Sequence, residues 1–233
     1  AFNTTLELST VEFFALDNAD RSKRKFIEVV VAPHITPQAL AYLQHHKDLR
    51  VVLFNPNSLP ATLPDYRFLN GSLLAQDADT VLFDKLDLVT ATPFEVTAHK
   101  DLIAFGIHAI CQIKSNSIVI VRRHNGYLQL LGMGAGQPNR LVSTRLAIDK
   151  CRENLQNEYH GTDFEAYFME QMQQCILISD AFFPFADNVE LAAASGIRCI
   201  VQPGGSIRDK SVIECCNTLG VAMVFSGTRH FKH

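Results

Sequence analysis

A chain of 233 residues, 47% of them hydrophobic, can bury a substantial core as one large domain or two small ones. Its formal net charge of −3 excludes the basic footprint of a nucleic-acid binder. No apolar run is long enough to cross a bilayer and the start does not read as a signal peptide; the six cysteines, none in a C-x-x-C pair, suit reduced, buried thiols in a soluble cytosolic protein.

In chain order, Ser9-Thr10-Val11-Glu12 has the capping-box pattern of a short helix. "KFIEVVVAP" reads as a strand ended by Pro33. "TPQALAYLQHH" has helical spacing with Pro37 in the first turn, and "RVVLF" is a second strand. "YRFLNGSLLAQD" is strand material around an Asn70-Gly71 turn. "TPFEVTAHKDLIAFGIHAICQI" predicts a long amphipathic helix. "SIVIVRR", His124-Asn125-Gly126 and "YLQLLGMG" form a hairpin, and a charged helix runs from about Arg140 to Glu158. "NEYHGTDFEAYFMEQMQQ" is the least patterned stretch and reads as a partly helical insertion. "NVELAAAS" and "KSVIECCNTLG" are helices ended by Gly196 and Gly220, and "RCIVQP" and "VAMVFS" are strands. Strands alternating with helices predict α/β layers.

Five stretches carry candidate chemistry. "GMGAGQPNR" is G-x-G-x-G, not the dinucleotide fingerprint. Its glycines serve a turn with positive φ or present N–H groups to an anion, with Arg140 favouring a ligand. "QPGGSIRDK" is a strand-to-helix turn whose free N–H groups suit a carboxylate or phosphate, and Ser206 or Asp209 can cap its helix. Asn116 in "KSNSIVIV" is a turn residue or a ligand-orienting amide. "TRHFKH" crowds basic groups into a tail of the kind that usually frays. "SDAFFPFADN" holds three phenylalanines, a proline and two aspartates in ten residues. Rings and proline suit an apolar wall for a planar ligand, with Asp187 and Asn188 bonding its edge, or a core loop in which Asp187 caps the next helix. The histidines show no metal-ligand spacing; His108 reads as packed within its helix.

Taken together and in order, "KSNSIVIV", "GMGAGQPNR", "SDAFFPFADN", "QPGGSIRDK" and "TRHFKH", with "RKFIEVVVAP" and "LNGSLLAQD", resemble the transformylase domain of the bifunctional AICAR formyltransferase/IMP cyclohydrolase family. The resemblance spans essentially the whole chain and is weakest over about Cys151–Ile176. It implies an α/β fold of cytidine-deaminase-like three-layer α/β/α units without zinc. An incomplete first unit would cover about 1–112 and a second about 113–233. It implies a cytoplasmic homodimer with active sites at the subunit interface, and no metal, nucleic-acid or membrane partner. The reaction would move formyl from the cosubstrate 10-formyltetrahydrofolate to the 5-amino group of aminoimidazole-carboxamide ribonucleotide (AICAR).

By the same resemblance, Asn116 contacts the AICAR base near the formyl group, with Phe182 beside that base. Arg229 holds the phosphate and Glu28 lies at the nucleotide. Arg140, Asp187, Asn188 and the Gly205-Ser206-Ile207 turn lie on the folate side, and His233 near the reacting amine. The family's Lys-His pair, in a K-H-x-N-P context, is absent from this sequence, as are a glycine-rich S-x-F-G segment and an upstream substrate arginine. His99-Lys100 has the reverse order in another context. The expectation is therefore a C-terminal portion of the bifunctional enzyme, lacking the cyclohydrolase domain and retaining little turnover. The alternatives are a non-catalytic ligand-binding homologue and, more remotely, a nucleotide deaminase, whose zinc signature is missing.

Overall fold

A computed structural model describes residues 1–55 and 64–232. The chain divides into two compact units, Ala1–Ala78 and Asp79–His233.

In the first unit, parallel strands β1 (Val29–Ala32) and β2 (Arg50–Leu53) are joined through helix α2 (Pro37–Gln44). Thr36 caps α2 by accepting the Ala39 N–H, and Pro37 occupies the first turn, where its missing N–H costs nothing. Val11, Val30, Ala32, Ala39 and Leu43 close a small core. Helix α1 (Leu8–Glu12) starts before the expected cap and places Ser9 inside it. The cause lies upstream. Leu6 pairs with Ile35 and donates its N–H to His34 O, which fixes where the chain turns into the helix. Strands β3 (Asp65–Leu69) and β4 (Ser72–Gln76) form the expected hairpin, with Asn70 and Gly71 both at positive φ.

The second unit is a six-stranded sheet ordered β5-β10-β9-β8-β6-β7. Its strands are β5 (Asp87–Leu88), β6 (Ile118–His124), β7 (Tyr127–Gly134), β8 (Ile176–Ser179), β9 (Cys199–Gln202) and β10 (Ala222–Phe225). Strands β8, β9 and β10 are parallel, while β6 is antiparallel to β8. Both faces are covered. Ile118 and Ile120 point to the side of α4 (Arg140–Glu158), α5 (Phe164–Gln173), α6 (Asp187–Ala194) and α7 (Asp209–Leu219). Val119 and Val121 point to the side of α3 (Lys100–Ile110). The alternation follows from the two-residue period of a strand, and burial on both faces explains why Ile118-Val119-Ile120-Val121 is apolar throughout.

Several expectations need correction. The helix foreseen over 92–113 is shorter: Pro93 and the 3₁₀ turn Thr97–His99 precede an α-helix confined to Lys100–Ile110. His108 on α3 is exposed, not packed. The supposed insertion is core. Phe164, Phe168 and Met172 recur every four residues along α5, and the last two are fully buried. The short strands β5 and β8 were not foreseen. The C-terminal tail is held rather than frayed. Ser115 N–H donates to Lys232 O at 2.8 Å, and His230 N–H donates to Asp180 O at 2.9 Å.

The glycine pattern also has a different basis. Only Gly136 in "GMGAG" adopts a positive φ. Gly132 and Gly134 lie in β7 with α4 against them; a Cβ would stand 2.1 Å from Ala147 O at the first and 2.0 Å from Ser143 O at the second. Glycine there permits close helix–strand approach, not a turn.

Candidate ligand site at the strand ends

The parallel strands place their carboxyl ends together, and each is followed by a chemistry-bearing segment. "DAFFPFADN" follows β8, "PGGSIRD" follows β9 and "SGTRHFK" follows β10. Because β6 runs the other way, its start, with Asn116 and Ser117, lies at the same end. This is where open α/β sheets place ligands.

Asp180 organises the site. It is fully buried; Oδ2 accepts the Ser117 N–H at 3.0 Å and Oδ1 accepts Arg140 Nη2 at 2.8 Å. Arg140 also donates to Asn116 Oδ1 at 2.8 Å and to Phe182 O at 3.3 Å, while its buried Nε has no partner among the described residues. The Asn116 side chain donates Nδ2–H to Gln137 O at 2.9 Å, and the Asn116 backbone carbonyl accepts the Ser143 hydroxyl at 2.8 Å. An arginine offers only donors, so it fixes the amide with Oδ1 towards itself. Among the described residues the second Nδ2–H of Asn116 has no acceptor.

A cavity of about 360 Å³ opens beside this cluster, lined by Asn116, Pro138, Arg140, Pro184, Phe185 and Asp187, with Asn139 and Asn188. The wall expected of "SDAFFPFADN" is formed by Pro184 and Phe185, because Phe183 is wholly buried in the core. Phe185 is half exposed, with Arg208 stacked on its ring at 4.5 Å. Asn188 is buried and accepts the Thr144 hydroxyl at 2.8 Å; its own N–H and Nδ2–H both donate to Asp187 Oδ1. Asp187 thus begins α6 and does not cap it from outside. Among the described residues its Oδ2 accepts no bond and remains available to a donor from a ligand.

In the Gly205-Ser206-Ile207 turn, Gly205 and Ile207 are exposed and Ser206 is half-buried. Asp209 already accepts the Gly205 N–H at 2.7 Å, and the Ser206 hydroxyl accepts the Arg208 N–H. The N–H groups of Ser206 and Ile207 have no acceptor among the described residues. Arg229 is exposed, its guanidinium 4.7 Å over the Phe231 ring. Glu28, exposed just before β1, belongs to the first unit. His233 lies outside the described residues. A larger cavity of about 510 Å³ in the first unit contains none of the expected residues. Its cations Arg21, Arg24, Lys25 and Lys47 are all exposed, and its half-buried His46 holds Nε2 3.4 Å from Asp17 Oδ1.

From the sequence alone Asp180 and Arg208 have no evident role, whereas Phe185 is expected as one of the three rings of the wall. The available signal for Asp180 was its place directly after the apolar run "CILIS", where an acid at a strand end needs a buried partner.

A layered α/β sheet with a cavity at its strand ends beside a buried Asp–Arg–Asn cluster has the architecture of an α/β domain with a candidate ligand site. The model of the AICARFT/IMPCHase bienzyme family matches residues 2–150, and the chain belongs to that family. The bifunctional purine biosynthesis protein PurH of Persephonella marina is 38% identical over 234 residues, covering all of this chain and 40% of that protein. Those of Aquifex aeolicus and Petrotoga mobilis are 39% and 36% identical, over 89% and 100% of this chain and 37% and 39% of their own length. The chain therefore spans about 40% of the length of the curated relatives it matches. Among the described residues no helix is long and apolar enough to cross a membrane.

Proposed function

We propose that this chain supplies ligand-binding parts of an AICAR formyltransferase, which takes formyl from 10-formyltetrahydrofolate and yields formyl-AICAR and tetrahydrofolate. The observation that carries the reading is the convergence of Asn116, Arg140, Asp187 and Asn188 on one cavity with a Pro184–Phe185 wall. A pterin-like head is flat and bears N–H donors. The wall offers it an apolar bed and Asp187 Oδ2 an acceptor. A phosphate would find no unneutralised cation there, since Arg140 faces Asp180. The exposed Arg229 and the N–H groups of Ser206 and Ile207 suit the anionic parts of the two substrates better.

The AICAR amine is conjugated to its ring and is a poor nucleophile. Transfer needs a base to take its proton and donors for the oxyanion that forms at the formyl carbon. The remaining Nδ2–H of Asn116, aimed by Arg140, fits the second task. Phe182, half-buried beside it, fits the base of AICAR; Glu28 and His233 keep their roles at the nucleotide and the amine on resemblance alone. The family's Lys-His base does not occur in this sequence, and we give the proton-accepting step to none of the residues around the cavity. We further infer a cytoplasmic homodimer whose units are cytidine-deaminase-like. The exposed Tyr66, Phe68, Leu73 and Leu74 of the β3–β4 hairpin favour a subunit contact.

The test is a formyl-transfer assay on the intact gene product, following tetrahydrofolate from AICAR and 10-formyltetrahydrofolate, with the 233-residue chain run in parallel. Activity in the intact product and little in the chain alone is expected. Full turnover by the chain alone would place the base within these residues and undo the assignment. No activity in either would make the domain a non-catalytic binder.

A further inference from the structure

Beside the tail, and outside the cavity, three side chains from distant parts of the second unit meet. His230 Nδ1 is 2.8 Å from Asp79 Oδ2 and 3.2 Å from Cys111 Sγ. All three ligand atoms lie within 4.8 Å of one another. The other ring nitrogen, Nε2, is 2.8 Å from Leu82 O. A carbonyl only accepts, so Nε2 carries the proton, and Nδ1 faces a carboxylate and a sulfur. Two negative or lone-pair-bearing atoms converging on a ring nitrogen call for a positive centre between them. A proton on Nδ1 is one solution and a metal ion is the other.

We propose that Asp79, Cys111 and His230 form a binding site for a borderline-soft divalent cation of the Zn²⁺ class. Thiolate, imidazole and carboxylate together are a donor set for zinc rather than for magnesium or calcium, which take oxygen alone. The Nε2–H···O=C bond to Leu82 is the outer contact that ligating histidines make to fix their tautomer. Burial also fits: His230 and Cys111 are 2% and 7% exposed, while the Asp79 side chain is 41% exposed. The two inner ligands are held by the fold, and the carboxylate side leaves a fourth position open to water. Zinc bonds of about 2.3 Å to sulfur and about 2.0–2.1 Å to nitrogen and oxygen put tetrahedral S···N and N···O pairs roughly 3.6 and 3.4 Å apart. The His230–Asp79 pair must therefore part by roughly half an ångström, which the exposed Asp79 can supply, and the Cys111–His230 pair by roughly 0.4 Å, which a small rotation of the Cys111 side chain can supply. On binding, the Cys111 S–H proton leaves to solvent.

Such an ion ties the chain at residue 79, the C-terminal end of α3 and the tail that carries Arg229 into one clasp. No spacing pattern could announce it, because residues 79, 111 and 230 lie on three separate segments. The assay uses the metal-stripped intact gene product, titrated with Zn²⁺ against a chromophoric chelator and separately with Co²⁺. One tightly held Zn²⁺ per chain is expected, with a thiolate-to-cobalt charge-transfer band in the near ultraviolet. Cys111→Ser should abolish that band. Asp79→Asn, at an exposed position that leaves the core intact, should weaken Zn²⁺ binding by at least the roughly 10–100-fold that even an outer-shell loss costs. Absence of stoichiometric Zn²⁺, a sulfur band that survives Cys111→Ser, or unchanged affinity in Asp79→Asn would each overturn the site and leave a proton as the bridging charge.

Discussion

The buried guanidinium of Arg140 is the group on which the cavity's geometry turns. Its neighbours are Asp180, fully buried, and the Asn116 amide. Replacing Asp180 with Asn leaves the guanidinium buried without a counter-charge, a change that costs about 3–5 kcal/mol. The lost stability should appear in denaturant melts of the second unit. Arg140→Lys keeps the charge but cannot fork between two acceptors. It should preserve most of the stability while releasing Asn116, lowering kcat for formyl transfer on the order of 100-fold, as a misplaced group does. If Arg140→Lys were fully active, Arg140 would be structural only. At Arg229 the expectation differs. It is exposed and stacked on Phe231, so Arg229→Ala should leave folding intact. Loss of a charge-assisted bond of about 1.5–3 kcal/mol should raise KM for AICAR roughly 10–100-fold. An unchanged KM with a lowered kcat would remove it from phosphate binding.

Among the elements, the β7–α4 contact is the most exacting. A methyl group at Gly134 would sit 2.0 Å from Ser143 O, and backbone cannot step aside as a flexible side chain can. Gly134→Ala should therefore destabilise by about 3 kcal/mol, the upper end for overpacking, whereas Gly126→Ala, with open space around it, should cost only what its positive φ demands. Comparison of the two by thermal melting separates packing from backbone strain. The same contact shows what was legible in the sequence. The helix Arg140–Glu158 and the hairpin at His124-Asn125-Gly126 are legible in the sequence, the first as a charge-rich run of helix-favouring residues and the second from its turn chemistry. The role of Gly132 and Gly134 was not legible, since it depends on a helix that docks from elsewhere. Strand β8 was missed because four apolar residues have no period of their own. The residues around the cavity were found through resemblance and aromatic-proline composition, but Asp180 needed the tertiary pairing to reveal its purpose.

At the scale of the whole chain, the cysteines divide the molecule. All six lie between residues 111 and 216, within the second unit, so thiol chemistry reports on that unit alone. Burial pushes the Cys175 and Cys216 thiols up to about 12, and those of Cys151 and Cys199 up as well. In the unfolded chain a thiol loses its proton near pH ~8.5. Above that pH the folded unit holds protons that the unfolded chain has shed, so stability falls as pH rises. Below it these four groups contribute no pH dependence. The loss begins at about pH 8.5, reaches its full slope of roughly 1.4 kcal/mol per thiol per pH unit about one unit higher, and levels off near 12. Denaturant midpoints of the second unit should accordingly drop steeply between pH 8.5 and 11, and a Cys199→Ala variant should drop less steeply than the parent. At pH 8 in the native state, the half-buried Cys215 should react with a thiol reagent well before Cys151, Cys175, Cys199 and Cys216, which wait for the unit to open. A midpoint that stays flat to pH 11, or rapid labelling of those four thiols without unfolding, would mean that the sheet and its helices admit water where the structure packs them dry.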